Sequence, residues 1–203
     1  MIPKEGSLRD RQRAQIRADI SRAAFRLFIE RGYDAVTTEE IATAAGVSPR
    51  TLFRHVPTKE ELLLAPVRYG GAAIVNLLEQ RPAGESPDVA LVNAIITRTR
   101  SFDEADCEQW REALLGAPGL LDKVTIHTPA DKERAMKLIA ERMRADPHAD
   151  IRPGLLVQLA FAAADFAFQQ WVRLAMAPRP LDRYVTEALE AVKSPHWERK
   201  SRS

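Results

Sequence analysis

Hydrophobic residues recur along this chain at spacings of three and four, the period of an amphipathic α-helix. Near the N-terminus, Ile16, Ile20, Ala24 and Phe28 share one face before Gly32, a good helix stop. Strand-like alternation is not seen. The pattern predicts an all-α fold of nine helices, the first ending before Gly32 and the others over residues 38–45, 49–56, 58–80, 86–102, 104–115, 128–144, 153–176 and 181–192.

Short polar residues mark several predicted helix starts. Thr37 has Glu40 three residues later, the spacing of a capping box. Ser48 precedes Pro49, a cap followed by the residue that best opens a helix. The other Pro and Gly residues cluster in the predicted joints, "RPAGESP", "GAPG", "ADPHADIRPG" and "APRP".

Composition favours a soluble globular protein, with 45% apolar and 29% charged residues in a chain of 203. The single cysteine, Cys107, excludes an intramolecular disulfide and suits a reducing compartment. The N-terminus lacks the apolar segment of a signal peptide. The longest apolar tract, residues 155–168, is too short to span a bilayer. We therefore expect a cytoplasmic protein with no membrane partner.

Positive charge is concentrated at one end of the chain. The net charge is only +2, but residues 1–31 hold eight cations and four acids. A basic end on a near-neutral body is typical of a protein whose end meets nucleic acid. A solvated helix face rich in arginine is the other interpretation.

The stretch "GVSPRTLFRHVPTKEEL" predicts a helix-turn-helix. Predicted helices 38–45 and 49–56 are joined by a tight turn that contains Gly46. The second helix is too short to be stable alone, so we expect it to lean on its neighbours through residues such as Leu52. In this motif the second helix enters the major groove, where an arginine can bond both acceptors of a guanine.

The longer stretch "AAFRLFIERGYDAVTTEEIATAAGVSPRTLFRHVPTKEELL" resembles the DNA-binding domain of the TetR family of transcriptional regulators. The resemblance implies a DNA-binding domain over 1–57 and an all-helical ligand-binding and dimerisation domain over 58–203. It also implies a double-stranded DNA operator, a small-molecule ligand and a homodimer as partners, and a regulator that most often represses.

The same resemblance assigns roles to individual residues. Those expected to face bases are Pro49, Arg50, Thr51 and Arg54. Those expected along phosphates are Thr38, Phe53, His55 and Lys59, and Ser48, as the cap, completes the set. The family often has tyrosine at position 53, and phenylalanine cannot donate a hydrogen bond to phosphate.

Two predicted helices favour self-association. The segment 155–176 is apolar almost all round, which indicates burial on every side. A stripe of small residues ends at Trp171, and the last helix has a matching apolar stripe. Two such helices from each subunit would form a four-helix interface, although a monomer core is the competing explanation. The predicted interface residues are Ala160, Ala164, Ala167, Trp171, Val185 and Leu189.

A second apolar face of the same helix contains a carboxylate, Asp165. Because a buried charge needs a partner, we expect Asp165 to pair with Arg98, Arg100 or a ligand group. Apolar faces of neighbouring helices could complete a pocket for a small molecule, or could simply be core. The predicted ligand-binding residues are Ile95, Thr99, Phe102, Trp110, Ile139, Phe161, Asp165 and Phe168.

The C-terminal segments loosely resemble a branch of the family that includes the mycofactocin-type regulators, which respond to acyl-coenzyme A compounds. That resemblance implies an elongated, largely apolar ligand that is acidic at one end. A cationic lipophilic ligand attracted by Asp165 is the rival.

Other functional classes have little support in the sequence. It contains no nucleophile elbow, no phosphate-binding glycine loop and no His-Glu-x-x-His motif. The four histidines lack metal-ligand spacing, so no metal, cofactor or catalytic residue is expected. A helical protein-binding adaptor or a small helical enzyme that uses the C-terminal pocket remain the alternatives.

Overall fold

The computed structural model describes residues 8–101, 104–121, 126–174 and 179–193, and the regular structure in these ranges is entirely helical. Most helices begin at a short polar cap or a proline, as the sequence predicts. The helices are α1 Leu8–Arg31, α2 Thr38–Ala44, α3 Pro49–His55, α4 Lys59–Arg68, α5 Gly70–Glu79, α6 Pro87–Arg100, α7 Glu104–Leu115, α8 Pro118–Leu121, α9 Pro129–Met143, α10 Arg152–Arg173 and α11 Leu181–Lys193.

The all-α prediction is confirmed, and each of the nine predicted helices is found. Two differences concern boundaries. The helix predicted over 58–80 is divided at Tyr69 into α4 and α5, and a single turn, α8, lies in a predicted joint.

The division is explained by a contact between Gly71 and a turn that is distant in the sequence. Its N–H donates to the carbonyl of Ile126 at 2.9 Å, so it leaves the i to i−4 ladder of the helix. A side chain here would collide, because a Cβ on Gly71 would lie 2.5 Å from Asp131 Oδ2. The glycine therefore allows the 126–131 turn to approach α5.

Two predicted helix starts are confirmed by their hydrogen bonds. Thr37 and Glu40 form a reciprocal capping box at α2. Ser48 Oγ accepts from the backbone N–H of Thr51 at α3. Each cap satisfies backbone donors that the first helical turn leaves open.

The helices group into two compact units. The first contains residues 1–66 and 104–124, and the second contains 67–103 and 125–203. This division differs from the predicted boundary after residue 57, because most of α4 and all of α7 and α8 join the N-terminal helices. α7 packs against α1, and the indole of Trp110 donates to the carbonyl of Leu63 at 2.8 Å.

Each unit has its own apolar core. In the first, Phe28, Ile41 and Leu52 are almost fully buried. In the second, Leu91, Ile139 and Phe161 play the same part.

The segments Pro49–Glu79 and Arg152–Arg173 are long and apolar enough to cross a membrane by length and composition alone. Half of each tested window is nevertheless buried inside the protein, and core helices of soluble proteins pass the same test. The first segment is also interrupted by the joints between α3, α4 and α5.

Candidate nucleic-acid interface and ligand-domain residues

The turn between α2 and α3 holds the two helices close together. Gly46 has a φ of +66°, a left-handed conformation that favours glycine. The N–H of Val47 then returns to the carbonyl of Ala42 at 2.9 Å, which closes the end of α2. Ser48 caps α3 directly afterwards, so only a short turn separates α2 from α3.

α3 is buried on one side and open on the other. Leu52 lies in the core, whereas Arg50 and Arg54 are exposed and the side chain of Phe53 is 46% exposed. Neither arginine has an acidic partner among the residues that the structure describes. Pro49 and Ser48 are exposed, and Thr38 and Thr51 are half-buried. Two free guanidinium groups beside a short helix start form a surface suited to the acceptors of a DNA groove.

Lys59, predicted to contact phosphate, forms hydrogen bonds within the first unit. Its Nζ donates to the carbonyls of Tyr33 and Val36 at 2.9 and 3.0 Å, and lies 4.2 Å from the centroid of the Tyr33 ring. The ammonium group therefore ties the α1–α2 loop to the start of α4. Burial, with smaller effects from Glu60 and Asp34, raises the pKa of Tyr33 to about 12, so the phenol stays neutral.

His55, also predicted to lie along phosphate, is buried. Its ring is buried, with 9% of the residue exposed, and the guanidinium of Arg17 donates to its carbonyl at 3.3 Å. Burial lowers the pKa of the imidazole, and Arg54, Arg17 and Arg13 lower it further. The side chain is therefore neutral at pH 7 and adds no charge toward phosphate.

The arginines of α1 belong to the basic end of the chain but are not among the individually predicted DNA-binding residues. Together with α3 they line a groove of about 940 Å³ in the first unit. Arg9, Arg13 and Arg17 follow one another at four-residue spacing on α1, so helical periodicity could have found them. They add positive charge next to Arg54.

The predicted ligand-binding residues do not all come together. Ile95, Ile139, Phe161 and Phe168 are buried in the second unit. Trp110 belongs to the first unit, where its indole is bonded to the α4 backbone. Thr99 Oγ1 donates to the carbonyl of Ile95 at 2.8 Å, and Phe102 lies outside the described residues.

Neither of the two predicted arginine partners of Asp165 is the one found. Arg100 pairs with Asp182, and the guanidinium of Arg98 donates to Ser101. Asp165 Oδ1 lies instead 2.9 Å from Nδ1 of His127, in the turn before α9. The two atoms are in contact, but the angle is poor for a hydrogen bond.

His127 is buried, and its ring stacks on Phe161 with centroids 4.0 Å apart. Its Nε2 has no protein hydrogen-bond partner in the part of the chain that the structure describes. In the sequence, His127 is one of four scattered histidines. No local pattern links it to α10, because the contact depends on how two distant segments pack.

The residues predicted for a dimer interface are buried within a single chain. α10 and α11, which carry the two stripes, form the most extensive helix pair of the second unit. Ala160, Ala164, Ala167, Trp171, Val185 and Leu189 are all buried. The monomer-core explanation therefore fits these six residues.

A different stripe of α10 is both apolar and exposed. Leu155, Leu159 and Phe166 are 53%, 43% and 61% exposed. Ala162, between them in the same row, is exposed as well. These four residues are here called the outer stripe of α10.

Among the described residues, no cluster of three or more His, Cys, Asp or Glu could hold a metal ion. The absence of a metal or cofactor stays a prediction.

The geometry of α2, the turn and α3 defines a helix-turn-helix, the class of DNA-binding unit that reads the major groove with its second helix. The family described as "Bacterial regulatory proteins, tetR family" matches residues 20–65. The family described as "MftR C-terminal domain" matches residues 85–196. The first range includes the whole helix-turn-helix, and the second includes α10 and α11.

Individual proteins of similar sequence are also named as transcriptional regulators. The HTH-type transcriptional regulator TcmR of Streptomyces glaucescens is 33% identical over 177 residues, which cover 83% of this chain and 78% of TcmR. RutR of Escherichia coli K12 is 30% identical, over 72% of this chain and 73% of RutR. The mycofactocin biosynthesis regulator MftR of Mycobacterium tuberculosis is 26% identical, over 80% of this chain and 83% of MftR.

Solved structures share the fold. SmeT, the repressor of the Stenotrophomonas maltophilia multidrug efflux pump SmeDEF, aligns with a TM-score of 0.55 at 21% identity, over 88% of this chain and 89% of SmeT. NalD, the secondary repressor of the Pseudomonas aeruginosa MexAB-OprM pump, aligns at 0.56 and 20%, over 89% of this chain and 96% of NalD.

The chain belongs to the TetR family of bacterial transcriptional regulators, and its C-terminal region is of the MftR type. It is therefore a DNA-binding regulator and not an enzyme, since the named relatives are regulators. Proteins of this family bind operator DNA and small molecules and form dimers. The adaptor and enzyme alternatives have no support in these comparisons.

Proposed function

We propose that this protein is a dimeric repressor that binds a palindromic operator and releases it when a small, largely apolar ligand binds to the second unit. The observation that carries the proposal is the open face of α3, where Arg50 and Arg54 are exposed and have no acidic partner in the described part of the chain. The protein would act in the cytoplasm, where its operator DNA lies.

Base recognition would come from the first turns of α3. Arg50 and Arg54 can each bond O6 and N7 of a guanine, and the methyl group of Thr51 can contact a thymine methyl. Pro49 and Ser48, both exposed, would border the same bases. Thr38 at the start of α2 would meet a phosphate with its hydroxyl and the helix N-terminus. Phe53 would contribute apolar contact along the backbone.

Two of the residues predicted to contact phosphate, Lys59 and His55, would have other roles. Lys59 holds a loop, and His55 is neutral, so the phosphate contacts fall to other groups. The arginines at Arg9 and Arg13 in the α1 groove are the best supported replacements, because both are exposed beside Arg54. Their charge would supply much of the salt-dependent part of the affinity.

Dimerisation would use the outer stripe of α10. An exposed apolar row of Leu155, Leu159, Ala162 and Phe166 is unusual on a monomer surface. The same row on a second copy would bury it with two-fold symmetry. Phe166→Glu would then yield monomers in light scattering, whereas Val192→Glu, at an exposed position on α11, would leave the mass unchanged.

Ligand control would act through differential affinity. A ligand that binds the second unit better in one conformation shifts the dimer toward that conformation. α4 is a candidate connection, because residues 59–66 belong to the first unit and the rest of the helix to the second. A change in its position would alter the spacing of the two α3 helices, which must sit about one DNA turn apart.

The test is selection of random duplex DNA on the purified protein, with the mass of the complex measured by light scattering at two salt concentrations. Enrichment of a palindrome bound by two chains, with affinity that falls as salt rises, is expected. The control is Arg50→Ala combined with Arg54→Ala, which should abolish enrichment but keep the fold. Weak, sequence-independent binding by the wild-type protein would contradict the proposal.

A further inference from the structure

We propose that Arg17 is a positioning residue for base recognition, which bonds at the same time to the end of α3 and to a phosphate of the operator backbone. The bond to α3 is present in the structure, and the bond to phosphate would form when DNA binds. This inference rests on the operator binding proposed above. It gives Arg17 a role that Arg9 and Arg13, in the same row of α1, do not share.

The last turn of α3 leaves backbone acceptors open. The helical ladder closes where the N–H of Val56 donates to the carbonyl of Leu52 at 2.8 Å. The next residue, Pro57, has no N–H, so the ladder cannot continue. The carbonyl of His55 is therefore among the acceptors that need another donor. The guanidinium of Arg17 supplies one, with an N to O distance of 3.3 Å.

This bond connects two helices that are distant in the sequence. Arg17 lies on α1, 38 positions before His55, and α1 packs against α3. The last carbonyls of a helix carry partial negative charge, so a cation at this end is also favourable electrostatically. α3 is only seven residues long, so a displacement of its end also displaces Arg50 and Arg54.

Arg17 keeps donors for a second partner. A guanidinium has more N–H groups than one carbonyl can accept from, and only Nη2 is bonded to His55. Arg17 is exposed, and it lines the groove of about 940 Å³ together with Arg9, Arg13 and Arg54. No acidic residue is among the described residues that line this groove. A phosphate group is the expected partner, because its oxygens match the planar fork of a guanidinium.

Three of these positive charges lie near the same ring. Burial lowers the pKa of the His55 imidazole most, and Arg54, Arg17 and Arg13 lower it further. Like charges held close together repel one another, and an anion placed between them removes the repulsion. A DNA phosphate in the groove would therefore be stabilised by more than one arginine, one of which also holds α3.

Arg13 is the natural comparison for Arg17. It is exposed one turn earlier on α1 and lines the same groove. No hydrogen bond or ion pair of Arg13 is found among the described residues. Arg13 would therefore attract any DNA, whereas Arg17 would also fix the helix that reads the bases.

The first test compares alanine variants on the selected operator and on scrambled DNA of the same length. Arg17→Ala should lower the ratio of the two affinities by about fivefold or more, because a displaced α3 weakens a base contact. Arg13→Ala should weaken binding to both DNAs alike and leave the ratio within about twofold of the wild-type value. Arg26→Ala, exposed on α1 away from the groove, should bind both DNAs as the wild type does.

A double-mutant cycle tests whether Arg17 acts through α3. Arg17→Ala combined with Arg54→Ala should lose less operator affinity than the product of the two separate factors, by about threefold or more. The reason is that Arg54 already contacts its base poorly once Arg17 is removed. In the control cycle, the factors for Arg9→Ala and Arg54→Ala should multiply, because Arg9 lies two turns away from Arg17 on α1.

The phosphate itself can be located with neutral methylphosphonate linkages, placed one at a time along the operator. One position in each half-site should weaken binding by the wild type and have little further effect on Arg17→Ala. Thermal unfolding followed by circular dichroism checks first that the variant is folded, as expected for alanine at an exposed helical position.

Arg17→Lys is a second variant that keeps the positive charge. Its ammonium group can donate to the His55 carbonyl or to phosphate, but it lacks the planar fork that reaches both. The ratio of operator to scrambled affinity should therefore fall in this variant too, although the slope of affinity against salt concentration is retained.

Three results would overturn the positioning role: an equal loss on operator and scrambled DNA in Arg17→Ala, losses that multiply in the cycle with Arg54→Ala, or no linkage that distinguishes the wild type from Arg17→Ala. If the wild type selects an operator whose affinity depends on Arg54, any of these results rejects the role of Arg17 alone. If the wild type selects no sequence, the proposed function itself is rejected.

Discussion

The two candidate binding regions of this protein differ in how they are built. The α3 surface is assembled from one continuous stretch, and Arg50 and Arg54 are exposed there with no acidic partner among the described residues. In the second unit, His127 meets Asp165 across two distant segments, and the histidine ring is buried. A surface that reads long, charged DNA needs exposure, whereas a site for a small apolar molecule needs shelter from water.

The largest expected effect uses two phenylalanines, one in each region. Phe161 is fully buried under His127, and Phe53 is half-exposed on α3. Phe161→Ala should lower the free energy of unfolding by about 3–5 kcal/mol. Phe53→Ala should change it by no more than about 0.5 kcal/mol. Urea unfolding of both variants would measure the contrast.

Equal losses from the two phenylalanine variants would mean that α3 depends on Phe53 for packing. Phe53 would then contribute to packing as much as the buried Phe161 does.

The next effect concerns recognition by α3. Arg54→Ala should cost about 1–3 kcal/mol on the selected operator, since one bidentate base contact is lost. Its thermal stability should stay near the wild-type value, because the side chain is exposed. Fluorescence anisotropy with the operator and with scrambled DNA would measure both affinity and preference.

Arg26→Ala is the matched control for that measurement, since Arg26 is exposed on α1 away from the groove beside Arg54. A loss of the same size in the control, or an equal loss on scrambled DNA, would assign Arg54 to nonspecific attraction.

A smaller effect tests the reassigned role of Lys59. Lys59→Met keeps the aliphatic stem but removes the donor to Tyr33 and Val36, so it should lower the unfolding free energy by about 1–2 kcal/mol. The slope of DNA affinity against salt concentration should not change, because the ammonium is bound to carbonyls. Lys137→Met, which loses only an exposed ion pair with Glu133, is the control.

A flatter salt dependence in Lys59→Met, with unchanged stability, would restore the phosphate contact that the sequence predicted.

The smallest effect is a pH dependence at the start of α2. The Thr37 backbone N–H, then Arg31 and the Thr37 hydroxyl, lower the pKa of the Glu40 carboxyl from 4.5 to about 2. A folded-state pKa below the unfolded value means that the carboxylate stabilises the fold above pH 4.5, and that this contribution disappears as the pH falls toward 2. The stability difference between wild type and Glu40→Gln should therefore shrink across that window.

Acid titration of both proteins, followed by circular dichroism, would show this convergence. A stability difference that stays constant from neutral pH to pH 2 would mean that protonation of Glu40 does not change the free energy of unfolding.

What the sequence predicted well was local. The Thr37 capping box, the Ser48 cap and the turn at Gly46 each depend on residues within a few positions, and all three are found. The exposed side of α3 follows from one buried position, Leu52, and helical spacing.

What it could not predict depends on packing between distant segments. An apolar stripe on α10 fits another helix whether that helix is in the same chain or in a second copy. Ala160 and Ala164 therefore could not distinguish a monomer core from a dimer interface. Lys59 looked available for phosphate because the nearby carbonyls come from another loop. The break before α5 depends on the carbonyl of Ile126, far along the chain.

The noncontiguous first unit has a practical consequence for building chimeric regulators. Its core draws on residues 104–124 as well as 1–66, and Trp110 is bonded to the backbone of α4. A fragment that ends at residue 57 would lack α7, so the apolar surface of α1 that packs against α7 would be exposed to water. To exchange the first unit with that of a relative, both of its segments must be replaced, which creates three junctions in the chain. Recombination at a single crossover would therefore seldom yield a functional hybrid.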